Sequence, residues 1–292
     1  MQSDTFSSSG LIPTPTTLNC RGRIIRLDRP LVMGILNLTP DSFSDGGQFN
    51  RPDAAYRQAE KMLAEGADII DIGGYSSRPG ADDIAPEEEL ARIQAITAGI
   101  IARFPEAIIS IDTFRSTVAR AMLETGAHLI NDISAGTLDS AMLATVADFA
   151  APYLLMHMQG NPQTMQKNPR YTDVVDEVYQ FLVARVKAAR KAGIHDLVVD
   201  PGFGFGKRLE HNYELFRNLN KFKALGLPML VGLSRKSMIY RLFSTTPEDV
   251  LELASALHLQ ALAAGANILR VHDVRPAARI ARLHSYLKHG AF

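Results

Sequence analysis

Short apolar, β-branched runs recur along this chain, at 31–37, 68–74, 107–113, 129–134, 153–158, 197–202, 229–234 and 268–273, and a helical pattern follows each one. The helical stretches are 52–65, 86–103, 115–125, 139–149, 171–192, 210–225, 246–264 and a last one from about 275. Their local chemistry agrees with the periodicity. Gly66 stands where a helix should stop, three glutamates open the segment at 86, and Thr246-Pro247-Glu248 reads as a helix start. A strand and a helix alternating about eight times at roughly 30-residue spacing predict a (β/α)8 TIM barrel, an α/β fold of about 250 residues. A short N-terminal β-hairpin or edge strand is expected before it, between Cys20 and Asp28.

An open, doubly wound sheet would also alternate strands and helices. The strand ends argue against it, because nearly every run closes on a polar or charged residue: Asn37, Asp71, Asp112, Asn131, His157, Asp200, Lys236 and Arg270. An open sheet needs such ends only at its switch point, whereas a barrel brings all of them to one mouth. Two of the following loops, 39–47 and 75–80, are rich in hydroxyls, prolines and glycines and suit the working face of such a barrel.

Composition narrows the partners. Lys plus Arg (31) balances Asp plus Glu (31), so no net field favours nucleic acid or an acidic membrane. Cys20 is the only cysteine, which rules out intrachain disulfides and cysteine-built zinc sites and points to a reducing, cytoplasmic setting. No apolar run reaches the ~18 residues of a membrane span. Residues 1–19 read as a disordered tail and 20–292 as a single domain.

The strand ends fall into two chemical sets. Asp112, Asn131 and Asp200 suit a planar heterocycle with an amino-amidine edge, since carboxylates accept from ring N–H groups and an amide both donates and accepts. Arg78, Lys236, Arg270 and His272 are a cationic set fit for a phosphorylated group; Arg270 and His272 lie two apart, on one face of their strand. Each acid or amide could instead cap a helix, and Arg270 could lie flat over an aromatic ring. The run Gly202-Phe203-Gly204-Phe205-Gly206-Lys207 fits neither a P-loop, with Pro201 and Arg208 at its ends, nor a dinucleotide fingerprint. Its glycines let the loop bend while Phe203 or Phe205 offers an aromatic wall. No histidine spacing suggests a zinc site, whereas magnesium carried by phosphates is compatible.

Five motifs then carry a resemblance: 34–47 with its Asn-Leu-Thr-Pro-Asp-Ser-Phe-Ser-Asp-Gly-Gly, Ser76 to Gly80, Asp200 to Lys207, Ser234-Arg235-Lys236-Ser237, and Arg270-Val271-His272. Together they resemble the dihydropteroate synthases, within the wider pterin-binding enzymes, from about residue 22 onward. The resemblance implies condensation of 6-hydroxymethyl-7,8-dihydropterin pyrophosphate with p-aminobenzoate, with Mg2+ as cofactor, in a homodimer. It implies Lys236, Arg270, Asp45 and Arg78 as catalytic residues, and Asp112, Asn131, Asp200, Lys236 and Arg270 as the pterin pocket. Asn37, Arg78, Arg270 and His272 match the pyrophosphate site, with Asn37 also at the metal. Phe43, Ser76, Ser77, Pro79, Phe205 and Ser237 match the p-aminobenzoate side. Tyr75 departs from the pattern, standing where many members carry Glu or Gln. The rivals are a methyltetrahydrofolate-binding methyltransferase, which needs neither a pyrophosphate site nor the two closing loops, and a non-catalytic pterin-binding barrel.

Overall fold

The computed structural model describes residues 14–39, 51–76 and 83–290. Eight parallel strands form one sheet: β3 (Leu31–Asn37), β4 (Ile69–Gly73), β5 (Ile108–Asp112), β6 (Leu129–Asp132), β7 (Tyr153–Met156), β8 (Leu197–Asp200), β9 (Leu230–Val231) and β10 (Ile268–Val271). Neighbours follow chain order, and β10 returns to β3. The remaining seam is joined where Val199 bridges Met229 and its N–H donates to Pro228 O at 2.9 Å. The expected TIM barrel is therefore the fold, and the open sheet is excluded.

Alternation along the strands sorts the core into two layers. One set, with Val32, Leu36, Ile70, Ile72, Ile109 and Ile111, faces the surrounding helices. The other, with Met33, Ile69, Ile108, Leu129, Leu154, Val198 and Ile268, fills the lower barrel. That lower layer is stoppered by the hairpin β1 (Thr17–Cys20) and β2 (Arg23–Arg26), whose Leu18 and Cys20 are buried in it. The hairpin turns on Arg21 and Gly22 at φ +56° and +93°, the pairing a two-residue primed turn requires. Arg21 Nη1 donates to the carbonyls of Leu123 and Ala127, both at 2.7 Å, and so ties the stopper down. The first strand takes in the last three residues of the stretch read as tail, a shift that alternation at Leu18 and Cys20 explains.

The helices are α1 (Arg51–Ala64), α2 (Pro86–Arg103), α3 (Ser116–Thr125), α4 (Met142–Asp148), α5 (Val174–Lys191), α6 (Leu209–Arg217), α7 (Ser237–Tyr240), α8 (Leu251–Ala263) and α9 (Val274–His289). Three depart from expectation. The segment 210–225 breaks at Asn218, whose amide donates to Glu214 O at 2.9 Å, and continues as a 3-10 helix over Leu219–Leu225. The start expected at Thr246 is a turn: its hydroxyl donates to Asp249 Oδ2 at 3.3 Å instead of accepting a backbone N–H, and α8 begins at Leu251. The single-turn helix α7 is too short to show a periodicity and was not foreseen.

Gly202 carries the tightest steric demand. A Cβ there would stand 1.9 Å from His157 O, at a φ of +72°. Gly202→Ala is expected to destabilise the barrel by about 3 kcal/mol, combining overpacking with left-handed strain. Urea unfolding of the variant measures it, and a loss under about 1 kcal/mol would show that the loop relaxes freely.

Candidate functional site

Strand register sets the geometry. Asn37 pairs with Gly73, Gly73 with Asp112 and Asp112 with Asn131, so these residues share one level at the carboxyl ends of β3 to β6. A Cβ at Gly73 would lie 3.4 Å from Asp112 Cβ and 3.6 Å from Asn37 Oδ1, at ordinary contact distance from both, so Gly73 sits directly between these two side chains. Above the level opens a cleft of about 1020 Å³ whose lining includes Asn37, Asp112, Phe205, Lys236, Arg270 and His272. Ser76 and Ser237 also line it. Asn131 and Asp200 sit deeper, 6% and 8% exposed. The expected residues Phe43, Asp45, Ser77, Arg78 and Pro79 lie outside the described residues.

Arg270 is the electrostatic centre. Its Nε donates to Asp71 Oδ2 and its Nη2 to Asp112 Oδ2, each at 2.6 Å. No aromatic side chain lies under the guanidinium among the described residues; two carboxylates accept from its fork. Burial works against its charge, but Asp71 and Asp112 outweigh that and keep its pKa raised. Asp112 responds oppositely. Burial pushes its carboxyl up to about 7, with Arg270 opposing and Asp71 adding to the rise. Burial also raises Asp200, against the Gly202 N–H that donates to it at 2.7 Å and the nearby Lys236.

Lys236 faces this group from the other side of the mouth. Its Nζ donates to Phe203 O at 2.5 Å and stands 4.2 Å above the Phe205 ring. Burial brings its pKa down to about 8, Asp200 opposing and Arg270 adding to the fall. The aromatic wall is thus Phe205, while Phe203 turns into the core against Phe216. His272 is steered by Ser234, whose Oγ lies 3.1 Å from Nδ1 and accepts the His272 N–H at 3.2 Å.

Two further groups shape the mouth. Lys207 is buried and spends its amine on its own loop: Nζ donates to Gly202 O at 2.8 Å and Phe205 O at 3.1 Å and meets His157 Nδ1 at 2.9 Å. Burial lowers the lysine well below its usual range and, with the Lys207 charge, His157 to about 2. His157 is therefore a neutral prop of the 201–207 loop. Tyr75 packs edge-on against Phe114 at 5.0 Å, under the Arg115 guanidinium, and its hydroxyl accepts from Gln163 Nε2 at 2.6 Å. A tyrosine here uses its ring for packing and its hydroxyl to reach the opposite loop.

Sequence reasoning ranked neither Asp71 nor Ser234 among the site residues. Asp71 was visible as a charged residue on a strand, two residues before Gly73 and so on the same face, but its pairing with Arg270, 199 positions away, is not a local signal. Among the described residues no three His, Cys, Asp or Glu side chains cluster as a metal cage, and no helix is long and apolar enough to cross a membrane.

Comparison with known proteins agrees with this geometry. The family model described as "Pterin binding enzyme" matches residues 33–272. Dihydropteroate synthase of Escherichia coli (strain K12) is 46% identical over 268 residues, spanning 91% of this chain and 94% of the relative. A solved structure of the Xanthomonas albilineans dihydropteroate synthase with 4-aminobenzoic acid superimposes with a TM-score of 0.88 at 43% identity, covering 94% of this chain and 99% of that one. The same enzyme in complex with 7,8-dihydropteroate gives 0.84 at 41% identity, with 94% and 99% covered. A match across the barrel at this identity leaves one conclusion: the chain belongs to the pterin-binding enzymes and, among them, to the dihydropteroate synthases, which are transferases.

Proposed function

We propose that this cleft joins 6-hydroxymethyl-7,8-dihydropterin pyrophosphate to p-aminobenzoate, releasing pyrophosphate and 7,8-dihydropteroate. The observation that carries the reading is Arg270, one guanidinium shared between the acidic strand ends and the cationic side of a single cleft. The relatives' complexes with 4-aminobenzoic acid and 7,8-dihydropteroate give the two sides their substrate classes.

Asp112, Asn131 and Asp200 receive the pterin edge, and Lys236 meets the ring from the opposite wall. Arg270 and His272, with Arg78 and Asn37, take the pyrophosphate. Phe205, Ser76 and Ser237, with Phe43, Ser77 and Pro79, form the p-aminobenzoate side, and Asp45 belongs to the loop that closes over it. Breaking the carbon–oxygen bond leaves a delocalised pterin methylene cation and an anionic leaving group, so no enzyme nucleophile is required. The protein's task is to stabilise separated charge with groups already in place. Carboxylates face the electron-poor ring while the guanidinium and imidazole face the departing oxygen. The aromatic amine then forms the carbon–nitrogen bond and gives up its proton.

Magnesium fits the residues present. The amide oxygen of Asn37 is a single hard donor at the level of Gly73 and Asp112, which suits an ion that keeps waters and takes its other ligands from phosphate oxygens. Bound there, it would supply charge neutralisation to the leaving pyrophosphate. We also place the protein in the cytoplasm as a homodimer. Exposed Leu283, Tyr286 and Leu287 on α9 support the dimer, whereas Ala261 and Leu262 of α8 are spent on the core.

Pyrophosphate release from the pterin substrate tests the proposal. Release should require both p-aminobenzoate and magnesium and stop with EDTA. No release, or release at the same rate without p-aminobenzoate, overturns it.

A further inference from the structure

Asp71 is fully buried and lies beneath the cleft. Its Oδ2 accepts from two residues at once, Arg270 Nε at 2.6 Å and Asn131 Nδ2 at 3.0 Å. Those partners come from opposite directions round the barrel: β10 lies two strands from β4 on one side, through β3, and β6 two strands away on the other, through β5. One carboxylate oxygen therefore spans the lumen and ties a cationic strand end to an amide strand end.

This arrangement is not what stability alone would select. Asp71 Oδ1 and the Oγ of Ser110, its register partner on β5, are buried without hydrogen-bond partners among the described residues. A buried acid with one oxygen unmatched is worth less to the fold than a well-packed apolar side chain of similar size. The neighbouring positions show that the barrel can supply one: Ile69 and Ile108 occupy the equivalent inward places one step lower and pack together.

We propose that Asp71 is a positioning residue for the transfer reaction. It holds Arg270 and Asn131 in one fixed relation and keeps the Arg270 fork divided, so that Asp112 retains an oxygen for the incoming ring. Without Asp71 the guanidinium has a single carboxylate left to pair with and closes on Asp112, taking acceptor capacity from the pterin side. The inference rests on the roles proposed above for Arg270, Asn131 and Asp112.

Two variants of the full chain test it, Asp71→Ala and Asp71→Asn, with steady-state rates measured while each substrate is varied in turn. Asp71→Ala should raise KM for the pterin pyrophosphate and lower kcat, together about 100-fold in kcat/KM, the scale of a misplacement near 1 Å. KM for p-aminobenzoate should not move. Asp71→Asn should recover part of the loss, because its amide oxygen can still accept from both partners through weaker, neutral bonds. A folded Asp71→Ala with kcat/KM within about twofold of the unaltered chain, an equal rise in both KM values, or no recovery in Asp71→Asn would overturn the proposal. Should the alanine variant not fold, an unchanged pterin KM in Asp71→Asn does the same. If the unaltered chain itself releases no pyrophosphate, the proposed reaction is what fails. The crystal structure of either variant then decides the positioning role: Arg270 displaced toward Asp112 upholds it, and Arg270 and Asn131 unmoved overturn it.

Discussion

Arg270→Ala is expected to lower kcat/KM by about 1000-fold, the upper end of what removing one preorganised charge-stabilising donor costs. It should also cost the fold about 3 kcal/mol, because the buried Asp71 loses the one cation that pairs with it among the described residues. The second effect follows from burial: Asp71 is 0% exposed and Arg270 only 19%, so water cannot replace the lost partner as it would at a surface pair. A barrel with stability in the usual range of roughly 5–15 kcal/mol remains folded after that loss. Arg270→Lys separates the two roles. A lysine keeps the charge but presents a point rather than a fork, so it cannot bond Asp71 and Asp112 in the same plane. Most of the stability should return and little of the activity. Steady-state rates and urea unfolding of the two variants check this. An alanine variant as stable as the parent chain, or within about tenfold of its rate, would show that Arg270 is not the hub it is taken to be.

How much of this was legible in the sequence depends on whether a feature is local. The barrel was, because alternation and polar strand ends are repeated local signals, and the stop at Gly66 is a capping event: Gly66 adopts φ +100° and its N–H reaches Leu63 O at 3.0 Å. The limits of α8 were not, because they turn on which atom the Thr246 hydroxyl meets, and sequence offers both a backbone N–H and Asp249. The 3-10 stretch after Asn218 has the same origin, one side-chain amide bonding a carbonyl of the preceding turn.

Site residues divide along the same line. Convergence of Asn37, Asp112, Lys236, Arg270 and His272 on one cleft follows from barrel topology alone, since each sits at or just beyond a strand's carboxyl end. What each side chain does there depends on its partner across the lumen, and that is a long-range fact. Arg270 pairs with residues 199 and 158 positions away. The glycine-rich run before Lys207 fits no nucleotide loop on its sequence, but where the lysine goes is not local: it is buried on the carbonyls of its own loop. The glycines that bring those carbonyls inward are the reason: Gly202, Gly204 and Gly206 all take positive φ.

Lys236→Ala is expected to cost about 100- to 1000-fold in kcat/KM for the pterin substrate and to change the shape of the pH profile. Two charges must coexist at the mouth. Burial raises Asp112 to about 7, so its carboxylate form is gained as pH rises through that value. Burial lowers Lys236 to about 8, so its ammonium form is lost as pH rises through that one. Both forms are present together only between those limits, and kcat/KM, which reports on the free enzyme, should trace a narrow bell with limbs near about 7 and about 8. Lys236→Ala should abolish the alkaline limb and keep the acid limb, moved to higher pH because the ammonium that favours the Asp112 carboxylate is gone. Asp112→Asn should do the reverse, and because the Asp112 charge helps hold the Lys236 proton, the surviving alkaline limb should move to lower pH. Lys236 hydrogen-bonds a backbone carbonyl rather than a buried acid, but its charge opposes the rise that burial imposes on Asp200, so its removal should raise Asp200 further and cost the fold only modestly. An alkaline limb that persists unchanged in Lys236→Ala would assign that titration to another group and remove Lys236 from the reacting set.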